Sequence, residues 1–339
     1  MNSRFIGPLR YRTLWLVIVL LVWVSFFGQG FWTLANLQNL IVALSVDGVM
    51  VMGMTIVMIG AGFDLSIGSV VALSGVTVVQ ALPLGEPVAL VLALMAASIV
   101  GLANGTLISG LRVNPFIATL GTMVVVRGLV MTYTNGQPVP GMDPTFMSLG
   151  RATVFGGFPL AGLIFGVTFA LTHLLLTSLK IGREVYALGG NEESARSSGI
   201  ATYRLKMLSY VICSFTAGIS GIVLAARLNT GSPVIGENTA LNVITAVLLG
   251  GASLSGGVGS ASGSFGGLLC ISLLGNGLNL FDVPAYYQRI AQGLLLLLLV
   301  VLERIAHRAP TDFACRAEPS SERVSSSSAV ESAKVQDNR

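Results

Sequence analysis

Three ionisable residues stand inside long apolar runs: Asp47, Asp64 and Arg127. A charge at bilayer depth is costly, so such residues face a bundle interior or a water-filled cavity and mark a path or an internal ion pair. Asp64 lies in Gly62-Phe-Asp-Leu-Ser66-Ile-Gly-Ser69, where one apolar run ends and another begins within a turn's length. Either Asp64 or Ser66 caps the new helix there, or the pair marks a broken helix beside a substrate path, with free N–H groups turned to ligand oxygens. Arg127 fits an internal salt bridge as well as it fits a pore lining. Uncharged polar side chains recur in the runs, among them Asn104, Thr119, Asn276 and Asn279. They suit the hydroxyls of a polar, uncharged solute, and they suit bonds between helices equally well. Their neutrality argues against an ion channel ringed by carboxylates.

Other chemistries find less support. The sequence holds no G-x-x-x-x-G-K-[ST] phosphate loop and no H-E-x-x-H zinc motif. Any nucleotide-driven work would therefore need another chain as its engine. Gly218-Ile-Ser220-Gly221 matches the G-x-S-G of intramembrane serine proteases, and His173 is the one histidine within an apolar run. At about 1.5 Å per residue Ser220 lies roughly 20 Å above the cytoplasmic end of its helix and His173 roughly 10 Å above the cytoplasmic end of its own, so they miss each other in depth. Cys213, Cys270 and Cys315 are odd in number and far apart, which suggests neither a disulfide framework nor a metal site. No cofactor is expected, and nothing marks the chain as an enzyme.

A different kind of site is written in the long polar stretch from Lys180 to Lys206. Asn191 is an N-cap acceptor, Glu192 and Glu193 place acids at the positive end of a helix, and Gly199 is a C′ glycine. The pattern predicts a two-turn helix over 191–198, outside the membrane. A structured insert of this length, where a few residues would connect two spans, implies a surface for a partner.

The elements that position these residues follow from composition. Of 339 residues 53% are hydrophobic and only 10% charged, far below the quarter that a soluble domain carries. The fold class is an all-α polytopic membrane protein. Apolar runs predict about ten spans: Thr13–Phe31, Leu40–Gly62, Ser66–Leu82, Val88–Leu111, 115–133, 159–179, Met207–Ala226, Glu237–Leu254, Ser264–Leu280 and Tyr287–Val301. Asn114 and Pro115 supply N-cap and N1 for the fifth. The Gly101/Gly105, Gly162/Gly166 and Gly263/Gly267 pairs suit close helix packing. The domains are then a cytoplasmic 1–12, a permease body over 13–305 with the 180–206 insert, and a disordered Ser-rich tail over 306–339. Lys and Arg concentrate at one set of loop ends, which puts both termini and the insert in the cytoplasm. The formal charge of +4 comes mainly from those arginines and calls for no nucleic-acid partner.

Five collinear blocks resemble one family, the membrane permease subunits of bacterial ATP-binding-cassette importers for ribose and related simple sugars. They are GFDLSIGS (Gly62 to Ser69), NPFIATLGTM (Asn114 to Met123) with Arg127-Gly128, GREVYALGGNEESARSSGI (Gly182 to Ile200), ITAVLLGGASLSGGVGS (Ile244 to Ser260) and GNGLNLFDVPAYYQ (Gly275 to Gln288). The resemblance implies a ten-helix bundle of the type II importer kind in the bacterial inner membrane. It also implies a second permease copy or paralogue as dimer partner, a cytosolic ATPase subunit and a periplasmic solute-binding protein. The family's coupling helix falls on Asn191, Glu192, Glu193, Ala195, Arg196 and Gly199, and the 134–157 loop and 282–287 turn fall where a binding protein docks. Glu237-Asn-Thr-Ala-Leu-Asn242 and the Ser-rich tail depart from the family pattern. The alternative from another class is an ion-gradient-driven secondary transporter of a small polar solute, for which carboxylates on several helices would be expected.

Overall fold

The computed structural model describes residues 6–308 except Met142 and Asn238. Arg4 and the 309–339 part of the tail lie outside the described residues. The helices are α1 (Ile6–Phe27), α2 (Leu34–Ile59), α3 (Ile67–Ala81, extended by a 3-10 turn, Leu82–Leu84), α4 (Glu86–Ser109), α5 (Pro115–Thr134), α6 (Pro144–Arg151), α7 (Leu160–Thr177), α8 (Lys180–Gly190), α9 (Glu192–Ser197), α10 (Thr202–Leu228), α11 (Thr239–Leu249), α12 (Ala261–Leu280) and α13 (Ala285–Arg308). Two small antiparallel ladders pair β1 (Val139–Pro140) with β4 (Thr230–Gly231), and β2 (Thr153–Val154) with β3 (Phe158–Pro159).

Among the described residues seven helices are long and apolar enough to cross a membrane: α2, α3 with its turn, α4, α5, α7, α10 and α12. Three shorter apolar segments, Thr13–Phe27, Thr239–Leu249 and Ala285–Val301, accompany them. The chain is an all-α polytopic membrane protein.

Local chemistry sets many helix ends. Thr33, Asn114, Asp143, Asn191 and Ser260 each accept a backbone N–H as N-cap. Asn135 and Asn229 stop α5 and α10 in the left-handed conformation that asparagine tolerates. The core gathers around α2, whose residues from Gly48 to Ile59 are all buried. An unbroken apolar run of this kind marks a helix surrounded by others, and α2 packs against α7, α10, α11 and α12. By contrast α5 buries only five of its twenty residues, leaving Ile117, Val124, Val125 and Leu129 as a lipid-facing stripe.

Small residues bring backbones together. A Cβ on Gly101 or Gly105 would stand 2.7–2.8 Å from the backbone of α10 at Tyr210 and Met207, and one on Gly263 or Gly267 would stand 2.0–2.2 Å from carbonyls of Gly250 and Ala246. Only Gly162 of the third expected pair is close to anything, because Gly166 has open space around it.

Several expected boundaries need correction. The polar insert contains two helices, since Lys180–Gly190 coils into α8 before α9. The 134–157 loop carries α6, started by Asp143 and Pro144. The span expected over 237–254 is shorter, because Gly250 and Gly251, the latter at φ +87°, end α11 at Leu249. Helix α1 starts at Ile6, ahead of the apolar stretch that begins at Thr13 as expected, and it ends at Phe27, short of Phe31; α12 begins at Ala261.

One level recurs in the packing. The C-terminal end of α2, the start of α10 after α9, the end of α11 and the start of α12 share one face. Tyr186 Oη on α8 donates to Gly259 O at 2.8 Å, and Gly257 N donates to Ile59 O at 2.8 Å. Burial pushes the Tyr186 phenol above its usual range, so it remains a donor.

Candidate functional site

Three clusters hold most of the residues singled out by the sequence. The first is the knuckle formed by α8, α9 and the start of α10. Asn191 Oδ1 accepts from Ser194 N at 2.8 Å, and Gly199 at φ +84° closes the helix with its N–H on Arg196 O. Ala195 is buried and roots the helix, whereas Glu192, Glu193 and Arg196 are exposed. Glu192 is engaged within the chain, its Oε2 standing 2.5 Å from Lys206 Nζ on α10. Glu193 and Arg196 are the charges left facing outward. Gly189 on α8 lies against α2 so closely that a Cβ would fall 1.8 Å from Ile59 O and 2.5 Å from Gly257 N.

The second cluster is at the break between α2 and α3. Asp64 Oδ1 accepts from Ser66 N at 2.9 Å and from Ser66 Oγ at 2.6 Å, while Asn104 Nδ2 donates to Ser66 Oγ at 2.8 Å. Asp64 thus turns the backbone and Ser66 takes the N-cap position of α3 with no cap bond from its side chain. All three residues are fully buried. Ser214 on α10 stands beside the same carboxyl without a hydrogen bond of good geometry. Tyr210 Oη, one turn away on α10, donates to Phe63 O at 3.1 Å. Helices α4 and α10 are thereby fastened to the α2–α3 break, and through Lys206 and Glu192 that same α10 reaches α9.

The third cluster surrounds Arg127. Its guanidinium donates through Nη1 to the carbonyls of Pro233 and Ile235, the latter at 2.8 Å, and through Nη2 to Gly68 O at 3.2 Å. Glu237 is near enough to interact with it electrostatically but forms no ion pair. The segment so held runs alongside α3: Gly231 lies against Gly75 and Val76, and Gly236 against Gly68. Its end marks the start of α11, which packs antiparallel on α12 with Ala246 opposite Gly267 and Gly250 opposite Gly263. Thr239 lies seven residues before Ala246, so it stands level with about residue 274 of α12, about 20 Å from the start of that helix and about 10 Å short of its end. A run of turns over Pro233–Glu237 therefore descends into the apolar layer, and α11 is a half-length helix that begins there. Backbone of this kind at membrane depth needs protein donors, and Arg127 supplies three.

The remaining candidates are dispersed. Thr119 spends its hydroxyl on Pro115 O in its own helix at 2.8 Å. Asn276 pairs with Asn36 through reciprocal amide bonds, at 2.8 and 3.3 Å, and Asn279 Oδ1 accepts from Gln288 at 2.8 Å. Asp47 is partly exposed on α2 and has no ion-pair partner among the described residues. Ser220 Oγ donates to Val46 O at 2.8 Å and His173 stacks on Phe169, so the two form no dyad. Among the described residues no group of three His, Cys, Asp or Glu side chains could hold a metal ion. Tyr186, Tyr210 and Lys206 were not singled out by sequence reasoning, and their bonds to backbone or to a residue fourteen positions away leave no motif.

Comparison with known proteins adds a family to this geometry. The family described as branched-chain amino acid transport system / permease component matches residues 36–300. The chain is 38% identical to the ribose import permease protein RbsC of Bacillus subtilis (strain 168), over 85% of this chain and 90% of that protein. It is 37% identical to the ribose import permease protein RbsC of Escherichia coli (strain K12), over 87% and 94%, and 34% identical to the L-arabinose transport system permease protein AraH of the same strain, over 88% and 92%. No solved structure matches the chain. With the family match running from α2 into α13 and similarity along nearly the full length of these permeases, the chain belongs to the branched-chain amino acid transport system / permease component family.

Proposed function

We propose that the protein is the translocating subunit of an ATP-binding-cassette importer for a simple sugar, polyol or sugar-like solute in a bacterial inner membrane. A separate cytosolic ATPase supplies the energy, a periplasmic binding protein delivers the solute, and two permease copies or paralogues form the path. On this reading α1 to α5, α7, α10, α11, α12 and α13 are ten spans with both termini inside, and the Lys- and Arg-rich loop ends and the knuckle lie in the cytoplasm. The observation that carries the reading is α9: a capped helix of six residues, rooted by Ala195, that turns Glu193 and Arg196 outward in a chain that has no nucleotide-binding motif. The ATPase pulls on α9, and α10 passes the displacement to the α2–α3 break through Lys206 and Tyr210. Asp64, Ser66 and Asn104 are the joint that moves there, and Arg127 holds the wall of the path; Thr119, Asn276 and Asn279 complete the polar positions along it.

Gly199→Val tests the coupling. A β-branched residue at φ +84° costs about 1–2 kcal/mol of backbone strain, with no steric clash because nothing lies within 4 Å of the added Cβ. The expected result is sugar uptake reduced about tenfold in vesicles holding the whole importer, with the ATPase still co-purifying and still hydrolysing ATP. Uptake unchanged with the turn so altered would remove α9 from the mechanism.

A further inference from the structure

The stretch between β4 and α11 combines three properties. It is irregular backbone inside the apolar layer, it is pinned from behind by Arg127 and Gly68, and it presents side chains outward on its other side. Val234 is 51% exposed and Glu237 is exposed three residues on, while Leu241 in the first turn of α11 is 49% exposed. The Glu237 carboxylate has no ion-pair partner among the described residues. Arg127 acts on it electrostatically without pairing, and a carboxylate at this depth that forms no ion pair cannot face lipid, while non-helical backbone at this depth occurs where it borders protein or a water-filled cavity. Exposed on this chain, Glu237 is left to water or to a second permease copy, and the labelling below separates the two.

We propose that Glu237 is the solute-recognising residue of the translocation path, accepting two hydrogen bonds from neighbouring hydroxyls of an uncharged polyhydroxylated solute while Val234 and Leu241 meet its C–H face. The proposal rests on the importer reading and names the residue that reads the cargo within it. A carboxylate offers several lone pairs and no donor, which matches a vicinal diol and rejects an anionic solute. Apolar neighbours suit the amphipathic faces of a sugar. Arg127 is the positioning residue: bound to the Pro233 and Ile235 carbonyls on the two sides of Val234, it fixes the direction in which the following Glu237 points.

The test uses the complete importer with Cys315→Ser, since Cys213 and Cys270 are buried. Glu237→Cys should react with a negatively charged, membrane-impermeant methanethiosulfonate, and D-ribose supplied on its binding protein during turnover should slow that reaction. No modification would overturn the proposal, because it would put the side chain against lipid or protein. Glu237→Gln, which keeps the shape, should lower D-ribose uptake about tenfold, the loss of one charged hydrogen bond, with the ATPase and binding protein still co-purifying. Unchanged uptake by Glu237→Gln and Glu237→Ala would also overturn it. If the unsubstituted importer carries neither D-ribose nor L-arabinose yet Glu237→Cys is labelled, the sugar reading fails while the path assignment stands; uptake by the parent with no labelling is the reverse case.

Discussion

Arg127→Met should abolish uptake and lower the thermal stability of the purified permease. The guanidinium is the donor for three backbone carbonyls, those of Pro233, Ile235 and Gly68, in a region where no lipid can replace it. Hydrogen bonds to a charged group contribute about 1.5–3 kcal/mol each, so removal costs on the order of 5 kcal/mol, enough to free the irregular segment from α3. Methionine fills the volume without donating, which confines the change to those bonds. Arg127→Lys keeps the charge but loses the planar fork, and should fall between the two. Thermal unfolding of the detergent-solubilised protein, followed beside uptake in vesicles, checks both effects; a Met variant with parental stability would show that the clamp contributes nothing.

Gly189→Val should be as damaging by a different route. Its Cβ would collide with Ile59 O and Gly257 N, both backbone atoms that a rotamer change cannot move aside. Helix α8 must then lever away from α2, and the Gly257 N to Ile59 O bond goes with it. Loss of monodisperse protein on size-exclusion chromatography is the expected outcome. Gly190→Ala is the matched control: nothing lies within 4 Å of its Cβ, and it should behave as the parent does. If Gly189→Val also behaves as the parent, the knuckle is not welded to α2 as described.

The contrast between these residues and α9 explains what could be read from the chain alone. Asn191, Glu192 and Gly199 act on their own backbone within a few positions, so type and spacing announce a capped helix, and Asn114-Pro115 announces α5 in the same way. The apolar runs likewise announced most spans, because a lipid-facing or buried helix needs nothing beyond length and hydrophobicity. Helix α8 stayed hidden since its two terminal glycines weaken the helical pattern while tertiary contact with Ile59 and Gly259 supplies the stability. The start of α11 was set about two residues too early and its end about five too late, as small residues such as Ala252 and Ser253 continue an apolar run that Gly251 has already turned. The partners of Arg127 are carbonyls, which no side-chain pattern can mark, and the closeness of Asp64 to Asn104 depends on how α3 packs on α4. Glu237 looked only like a departure from a family pattern until the level of α11 against α12 fixed its depth.

The central claim is that a bundle without its own engine is driven through α9. Proteoliposomes containing the permease alone, and the permease with its ATPase and binding protein, should be loaded with or without ATP and assayed for labelled D-ribose and L-arabinose. The account predicts accumulation of at least one of these sugars in the complete, ATP-fuelled system and none by the permease alone, whatever sodium or proton gradient is imposed. Gradient-driven accumulation by the isolated permease would contradict it.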